Sequence, residues 1–222
     1  MSAESLAAKQ ARVKKIISVL DGEYPEARCT LDFRTAHELL VAAIMAAQCT
    51  DEKVNQVTPA LFEKYPTPAA FAEADITDLE TMIRPTGFFR NKSKAIIESA
   101  RQIVSNFGGE VPSTIEELTK LSGVGRKTAN LIVGVVYGQP AVIVDTHVTR
   151  ISARLGLTVE KDPSKIEADL RKVLAPEDMT RFNHLIVSLG RDVCKAPTPK
   201  CGICRLVDLC PHVRTEKSLN LA

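Results

Sequence analysis

Apolar residues recur at three- and four-residue spacing through most of the chain, which is the pattern of amphipathic α-helices. One segment departs from it, because the β-branched run AVIVD at 141–145 is locally typical of a strand. An isolated strand is not stable in water and the sequence offers no evident partner, so we predict an extended connector there. The pattern as a whole predicts an all-α protein.

Start and stop signals divide this pattern into separate helices. Capping boxes, in which Ser or Thr is followed three residues later by Glu, predict helix starts at Thr35 with Glu38, Thr77 with Glu80, and Ser113 with Glu116. Proline at the first helical position predicts two further starts, at Thr67-Pro68 and Asp162-Pro163. Gly22 and the pair Gly108-Gly109 predict left-handed helix ends. The tail after Lys217 is expected to be frayed.

Composition narrows the class of protein. The 222 residues are 45% hydrophobic, which is enough for a packed core. The longest apolar stretches, 39–47 and 131–137, are shorter than the roughly 18 to 20 residues of a membrane span. The N-terminal residues lack the apolar region of a secretory signal, so a cytoplasmic location is expected. The formal net charge of +2 does not by itself indicate a nucleic-acid-binding protein.

Residues 115–137 predict two helices joined by a turn that contains Gly123 and Gly125. Both glycines can take positive φ, and without side chains they let backbone N–H groups approach a phosphate. The second helix begins at the same place and adds the positive end of its dipole. The segment predicts an anion site that would hold a DNA backbone without reading its sequence. A helical hairpin without a ligand is the alternative.

Lys127 falls in the first turn of the second predicted helix. The positive helix end and the partial burial expected there both disfavour a protonated amine, and a neutral amine can attack a sugar carbon to form a Schiff base. Asp145, in the segment VDTHVTR, is the candidate carboxylate that would stabilise the resulting positive charge. Two ordinary structural roles remain open, a solvated helix lysine for Lys127 and an N-cap for Asp145.

Cysteine use is uneven along the chain. Cys29 and Cys49 stand apart and are predicted to be buried small apolar residues. Four others crowd into seventeen residues: Cys194, Cys201, Cys204 and Cys210. In a chain without an export signal, this crowding favours a metal site over disulfides. Four thiolates suit either zinc or iron, and their chemistry alone leaves both open.

The segments LSGVGRKTAN at 121–130 and VDTH at 144–147, together with the cysteine array, resemble the endonuclease III family of helix-hairpin-helix DNA glycosylases. The resemblance runs through nearly the whole chain. It implies two helical domains with an active-site cleft between them: residues 29–139 as a helical barrel domain carrying the hairpin, and residues 1–28 with 140–222 as a cluster domain.

The resemblance also implies an activity. It is that of a monomeric bifunctional DNA glycosylase and apurinic-site lyase, which removes oxidised pyrimidines from duplex DNA in base excision repair. By the same resemblance, Lys127 attacks C1′ of the damaged nucleotide and Asp145 is the essential aspartate. The four cysteines would hold one 4Fe–4S cluster rather than zinc.

Further residues are expected to contact DNA. The hairpin contributes four: Leu121, Gly123, Gly125 and Arg126. Lys195 and Lys200 lie in the loop between the first two cluster ligands and would face phosphates. The resemblance implies two wedges that enter the duplex after base flipping, with Gln48 facing the orphaned base and Phe88 between bases.

Two positions depart from the family's pattern. Ser122 stands where the family usually has proline, and Phe88 where it often has leucine. Two other functions remain as alternatives. An adenine or mismatched-thymine glycosylase of the same superfamily generally lacks lysine at the position of Lys127. A non-catalytic helix-hairpin-helix DNA-binding module leaves Lys127 and Asp145 without a role.

Overall fold

The computed structural model describes residues 4–213, and the tail predicted to be frayed lies outside them. These residues form eleven α-helices and three short 3-10 helices, with no strand among them, which confirms the all-α prediction. No helix within 4–213 is long and apolar enough to cross a membrane. The chain divides into two compact units, Cys29–Gln139 and a unit formed by the residues before and after it.

The unit Cys29–Gln139 contains seven α-helices: α2 (Ala36–Met45), α3 (Asp51–Lys64), α4 (Pro68–Ala72), α5 (Ile76–Ile83), α6 (Phe89–Phe107), α7 (Ile115–Leu118) and α8 (Arg126–Val135). A 3-10 helix, Arg84–Thr86, precedes α6. α6 is central, because α2, α4 and α5 all pack on it. α8 packs on α2 and α7.

The long helix α6 shows why this unit folds as it does. Its buried apolar residues Ile96, Ala100 and Ile103 recur at helical spacing on one face. The helix ends at Gly108 and Gly109, both at positive φ, and the N–H of Gly109 donates to the carbonyl of Ile103 at 3.1 Å. This is the glycine-terminated end that the sequence predicts.

The second unit contains α1 (Leu6–Glu23), α9 (Thr146–Arg154), α10 (Pro163–Val173) and α11 (Met179–Asp192), with short 3-10 helices at Pro176–Asp178 and Cys201–Ile203. α11 packs against α1 and α9. The apolar core of this unit includes the fully buried Ile16, Val148, Leu170 and Phe182. Because Cys210 belongs to that core and Cys194, Cys201 and Cys204 pack on it, the cysteine array is joined to the helices.

The segment 141–145 is an extended connector, as predicted. The side chain of Asn183, on α11, takes the place of a partner strand. Its Oδ1 accepts from the N–H of Ile143 at 2.9 Å, and its Nδ2 donates to the carbonyl of the same residue. One buried amide therefore satisfies a backbone that would otherwise lose both hydrogen bonds.

Three predicted helix starts are confirmed at their caps. The side chains of Thr35, Thr67 and Asp162 accept the backbone N–H groups that open α2, α4 and α10. The capping box at Thr35 is only half formed, because Glu38 accepts from the N–H of Arg34 rather than from that of Thr35.

Three predicted helix boundaries are wrong, two of them starts and one an end. α5 is capped by Asp75 rather than Thr77, because the Asp75 carboxylate lies just before Ile76 and accepts from the N–H of Asp78. α7 is capped by Thr114 rather than Ser113, and the Thr114 hydroxyl also donates to Glu117 at 2.7 Å. α1 continues past Gly22 to Glu23.

The late end of α1 has a tertiary cause. Arg181, on α11, pairs with Asp21 at 2.7 Å and donates to the carbonyls of Tyr24, Pro25 and Ala27. These contacts hold the chain at the end of α1 without a left-handed glycine.

Candidate functional site

The glycine hairpin joins α7 to α8, and its two glycines have different conformations. Gly123 has φ of +75°, and a Cβ there would lie 2.7 Å from Cβ of Ala95 on α6. Gly125 has φ of −89° and ψ of 174°, so only Gly123 uses the positive φ that both glycines can take. Nothing lies within 4 Å of the position that a Cβ would take at Gly125. The fold therefore requires glycine at 123 but not at 125.

Gly125 is the N-cap residue of α8 and has no side chain to cap the helix. Backbone N–H groups of the first turn have no partner within a helix, and the helix dipole is positive at this end. Because the space beside Gly125 is open, an anion can approach this helix end closely.

Lys127 is the second residue of α8, as predicted. Its side chain is exposed, so the expected partial burial is wrong. The reason is the phase of the helix, whose buried face is formed by Ala129, Ile132 and Val133. Lys127 is thus accessible beside the open N-terminus of α8.

The other hairpin residues differ in exposure. Leu121 is 3% exposed, so it can reach a ligand only through its backbone. Arg126 is exposed at the start of α8. The N–H of Ser122 donates to Oε1 of Gln102, on α6, at 2.8 Å. Ser122 is therefore fastened to the central helix.

Gln48 and Phe88 share an uncommon backbone conformation. They have φ of 54° and 46°, and they are the only non-glycine residues within 4–213 at positive φ. Both side chains are exposed, that of Phe88 by 62%. The neighbouring Phe89 is half-buried, and the guanidinium groups of Arg84 and Arg90 lie 5.7 and 5.4 Å from its ring centroid. Phe88 is thus the aromatic residue that this loop presents to solvent.

Asp145, in the second unit, is the N-cap of α9. Its Oδ1 accepts from the N–H of Val148 at 2.7 Å, which orients the carboxylate. The helix lies close to α11, because a Cβ at Gly190 would meet Nδ1 of His147 at 2.4 Å. The hydrogen bond to Val148 confirms the N-cap role that the sequence left open for Asp145. It is compatible with a catalytic role.

The four clustered cysteines are free thiols in this unit. Burial raises the pKa of the Cys204 thiol, a backbone hydrogen bond with Leu206 opposes this, and the charges of Cys194, Cys210 and Cys201 raise it further. The other three thiols are thus close enough to affect the Cys204 thiol. Within 4–213, no three His, Cys, Asp or Glu side chains form a group that could hold a metal ion. Cys29 and Cys49 are half-exposed, so their predicted burial is wrong.

The loop between Cys194 and Cys201 is held at both ends. The N–H groups of Lys195 and Lys200 donate to the same carbonyl, that of Val193, at 2.9 and 3.0 Å. Arg154, on α9, donates to Sγ of Cys194 at 3.2 Å and to the carbonyls of Lys195 and Pro197. Both lysine side chains are exposed. The loop therefore presents two ammonium groups from a fixed backbone.

Sequence reasoning missed several residues of these sites. Gln102 and Asn183 act from other helices, and nothing in the local sequence marks them. The sequence pointed only weakly to Arg154, through its place on the helix that Asp145 caps. Lys127 and Asp145 belong to different units, and their joint action on one nucleotide stays a prediction.

Comparisons with known proteins identify the family of this chain. A sequence profile described as "HhH-GPD superfamily base excision DNA repair protein" matches residues 41–176. Endonuclease III of Synechocystis sp. is 50% identical over 212 residues, which cover 95% of this chain and 97% of that protein. Endonuclease III of Bacillus subtilis is 43% identical over 188 residues, which cover 84% and 86%.

Solved structures agree with this. A non-covalent Endonuclease III–DNA complex has a TM-score of 0.87 and 38% sequence identity, covering 94% of this chain and 98% of that chain. A thermostable thymine-DNA glycosylase has a TM-score of 0.84 at 20% identity, which shows a common fold alone. The chain belongs to the endonuclease III family, within the HhH-GPD superfamily of base excision DNA repair proteins.

Proposed function

We propose that this enzyme removes oxidised pyrimidines from duplex DNA with Lys127 as its nucleophile. Family membership makes the chain a base-excision DNA glycosylase with lyase activity. One observation carries the assignment of the nucleophile: an exposed lysine in the first turn of α8, directly after the open hairpin. A trapped covalent Endonuclease III–DNA intermediate, at 39% identity and a TM-score of 0.87, supports covalent chemistry.

The reaction proceeds in two steps. Nζ of Lys127 attacks C1′ of the damaged nucleotide, the bond to the base breaks, and the base leaves with the bonding electrons and takes up a proton. The ring oxygen O4′ then leaves C1′ with the bonding electrons and takes up a proton, which gives a protonated imine between C1′ and Nζ. Removal of a C2′ proton then drives β-elimination, which breaks the bond from C3′ to the 3′ phosphate.

Asp145 assists from the start of α9. Its carboxylate stabilises the positive charge that develops on the sugar and accepts the proton that Lys127 must lose before it attacks. The cap to Val148 uses one carboxylate oxygen and orients the other. For this mechanism Lys127 and Asp145 must reach the same nucleotide.

Double-stranded DNA is the proposed partner. The hairpin, with Gly123, Gly125, Arg126 and the backbone of Leu121, receives a phosphate, and the exposed Lys195 and Lys200 neutralise others. Gln48 faces the orphaned base and Phe88 enters the stack. We assign Cys29–Gln139 as the helical barrel domain and the other unit as the cluster domain. The cytoplasmic location and monomeric state stay predictions.

The cluster domain takes its name from the family's 4Fe–4S cluster. Four cysteine thiolates are the ligands that such a cluster takes, and these four cysteines lie in or against one core. In the described residues 4–213 their side chains are not gathered into a metal-holding group, so binding of the cluster would have to draw them together. Bound to them, the cluster would cross-link the four cysteines and stiffen the loop 195–200. Cys204→Ser is expected to lower the iron and sulfide content and the melting temperature, whereas Cys29→Ser leaves both unchanged. Stoichiometric zinc in a colourless, fully active protein would refute the assignment.

An incision assay tests the proposed activity. Duplexes carry thymine glycol, uracil, 8-oxoguanine opposite C, or an abasic site, each with and without borohydride. We expect incision and a trapped adduct with thymine glycol and with the abasic site, and neither with Lys127→Gln. Lys120→Gln, an exposed lysine before the hairpin, is the control. Base removal without an adduct would favour an adenine or mismatch glycosylase, and affinity without scission a binding module.

A further inference from the structure

Lys92, in the first turns of α6, is buried with 5% of its surface exposed. Its ammonium donates to two backbone carbonyls, those of Met45 and Thr86, each at 2.7 Å. Met45 is the last residue of α2, and Thr86 is the last residue of the 3-10 helix Arg84–Thr86. The final carbonyls of a helix lack partners within it and lie at the negative end of its dipole. One ammonium therefore caps two helix ends.

Both capped ends lead directly into the predicted wedges. Gln48 follows Met45 by three residues and Phe88 follows Thr86 by two, and both residues have positive φ. A non-glycine residue keeps this conformation only where its surroundings hold it. The backbone N–H groups of Asn91 and Lys92 both donate to the Phe88 carbonyl at 3.1 Å, as at the start of any helix, so only the ammonium distinguishes Lys92 here.

The burial of this lysine is costly. Burial lowers the pKa of Lys92, opposed by the charge of the nearby Cys49 thiol. Two neutral carbonyls compensate a buried cation less well than a carboxylate does, and an apolar side chain of similar length would fill the space without that penalty. What the ammonium supplies, and an apolar side chain cannot, is the pair of hydrogen bonds to the carbonyls of Met45 and Thr86.

We infer that Lys92 is a positioning residue that couples the two wedge loops, 46–50 and 86–89, so that Gln48 and Phe88 are held ready to enter the duplex together. The wedge roles themselves rest on the proposed function. The coupling rests on the two hydrogen bonds from one ammonium and does not require that function to be correct.

Native-state hydrogen exchange tests the coupling in the unmodified protein. If Lys92 joins the loops, their amides open with the same free energy and the same dependence on denaturant. Lys92→Met should raise exchange in both loops by about tenfold or more, while the Ile96 to Ile103 turns of α6 stay protected. Lys92→Gln, which keeps an amide donor, should give a smaller rise.

Lys94→Met is the matched control, because it removes an exposed charge two residues along the same helix. It should leave exchange in both loops unchanged. Different opening energies for the two loops in the unmodified protein, or a change confined to one loop in Lys92→Met, would overturn the coupling. The first of these results needs no variant, so a variant that fails to fold does not remove the test.

A double-mutant cycle tests the consequence for DNA. Fluorescence of 2-aminopurine beside a thymine glycol reports base flipping, and binding to an undamaged duplex reports the phosphate contacts. Lys92→Met should reduce flipping about as much as Gln48→Ala combined with Phe88→Ala, and should add less than about twofold to that pair. A merely structural role predicts an additive loss, which would contradict the coupling.

The two proposals fail separately. If Gln48→Ala and Phe88→Ala leave flipping unchanged, the wedge assignment is wrong while the exchange data still decide the coupling. If flipping depends on both residues but the loops open independently, the wedges stand and the role of Lys92 is refuted.

Discussion

The side-chain oxygen of Gln102 accepts a hydrogen bond of 2.8 Å from the backbone N–H of Ser122. Gln102 lies on α6, so this bond ties the glycine hairpin to the central helix of its unit. Proline has no N–H and cannot make the bond. Serine at position 122 thus keeps a backbone N–H, and Gln102 accepts its hydrogen bond.

Ser122→Pro is expected to depend on residue 102. In the unmodified background the substitution loses the hydrogen bond, and in a Gln102→Ala background there is no bond to lose. The two changes should therefore be coupled by about 1 kcal/mol in the free energy of unfolding. Denaturant unfolding of the four proteins measures this, and strictly additive effects would show that the bond contributes nothing.

The two hairpin glycines should respond differently to alanine. Gly123→Ala places a Cβ 2.7 Å from that of Ala95 at a φ of +75°, so we expect a loss on the order of 2 kcal/mol in the free energy of unfolding. Gly125→Ala has open space and an ordinary φ, so stability should be unchanged.

DNA binding shows whether Gly125→Ala, although neutral for stability, has an effect on function. A methyl group at Gly125 would stand between the N-terminus of α8 and a phosphate, and should weaken binding to an undamaged duplex by about tenfold. Thermal unfolding and fluorescence anisotropy measure the two properties. Full affinity in Gly125→Ala would argue against a phosphate at this helix end.

The two roles of Asp145 can be separated by amide substitution. Asparagine caps a helix about as well as aspartate but carries no charge. Asp145→Asn should keep the melting temperature and lower single-turnover base removal by about a hundredfold or more. Asp162→Asn makes the same change at the N-cap of α10 and should affect neither property. Equal activity of the two variants would remove Asp145 from the mechanism.

His37 should make the protein less stable in mild acid. It is 5% exposed, both ring nitrogens lack a hydrogen-bond partner within 4–213, and burial lowers its pKa to about 4 from 6.5. The unfolded chain therefore takes up the proton first. The free energy of unfolding is therefore unaffected by His37 above a pH of about 6.5. It falls progressively as the pH drops towards 4, by up to about 3 kcal/mol.

His37→Leu tests this dependence. The variant should lose up to one proton's contribution to the slope of unfolding free energy against pH, about 1.4 kcal/mol per pH unit between 4 and 6.5. Some slope should remain, because burial also lowers the pKa of His184. Urea titrations at several pH values measure this slope, and identical slopes in both proteins would mean that the pKa of His37 is the same in the folded and unfolded states.

Local patterns predicted much of the fold and failed where competing groups stood close in sequence. The helix boundaries at Gly108, Thr67 and Asp162 are predicted correctly, because a cap depends only on residues within one turn of it. The starts predicted at Thr77 and Ser113 are wrong, because Asp75 caps α5 two residues earlier and Thr114 caps α7 one residue later. The end of α1 failed because Arg181, distant in sequence, holds the chain there.

The sequence by itself determined the helical architecture, the family, and the chemical groups that the mechanism needs, since spacing and residue type encode these locally. Only the tertiary structure decided that Gly123 must be glycine while Gly125 need not be, that Lys127 is exposed, and that Lys92 caps two helices. Each depends on atoms brought together from distant positions in the chain, and contacts of this kind leave no periodic signal in the sequence.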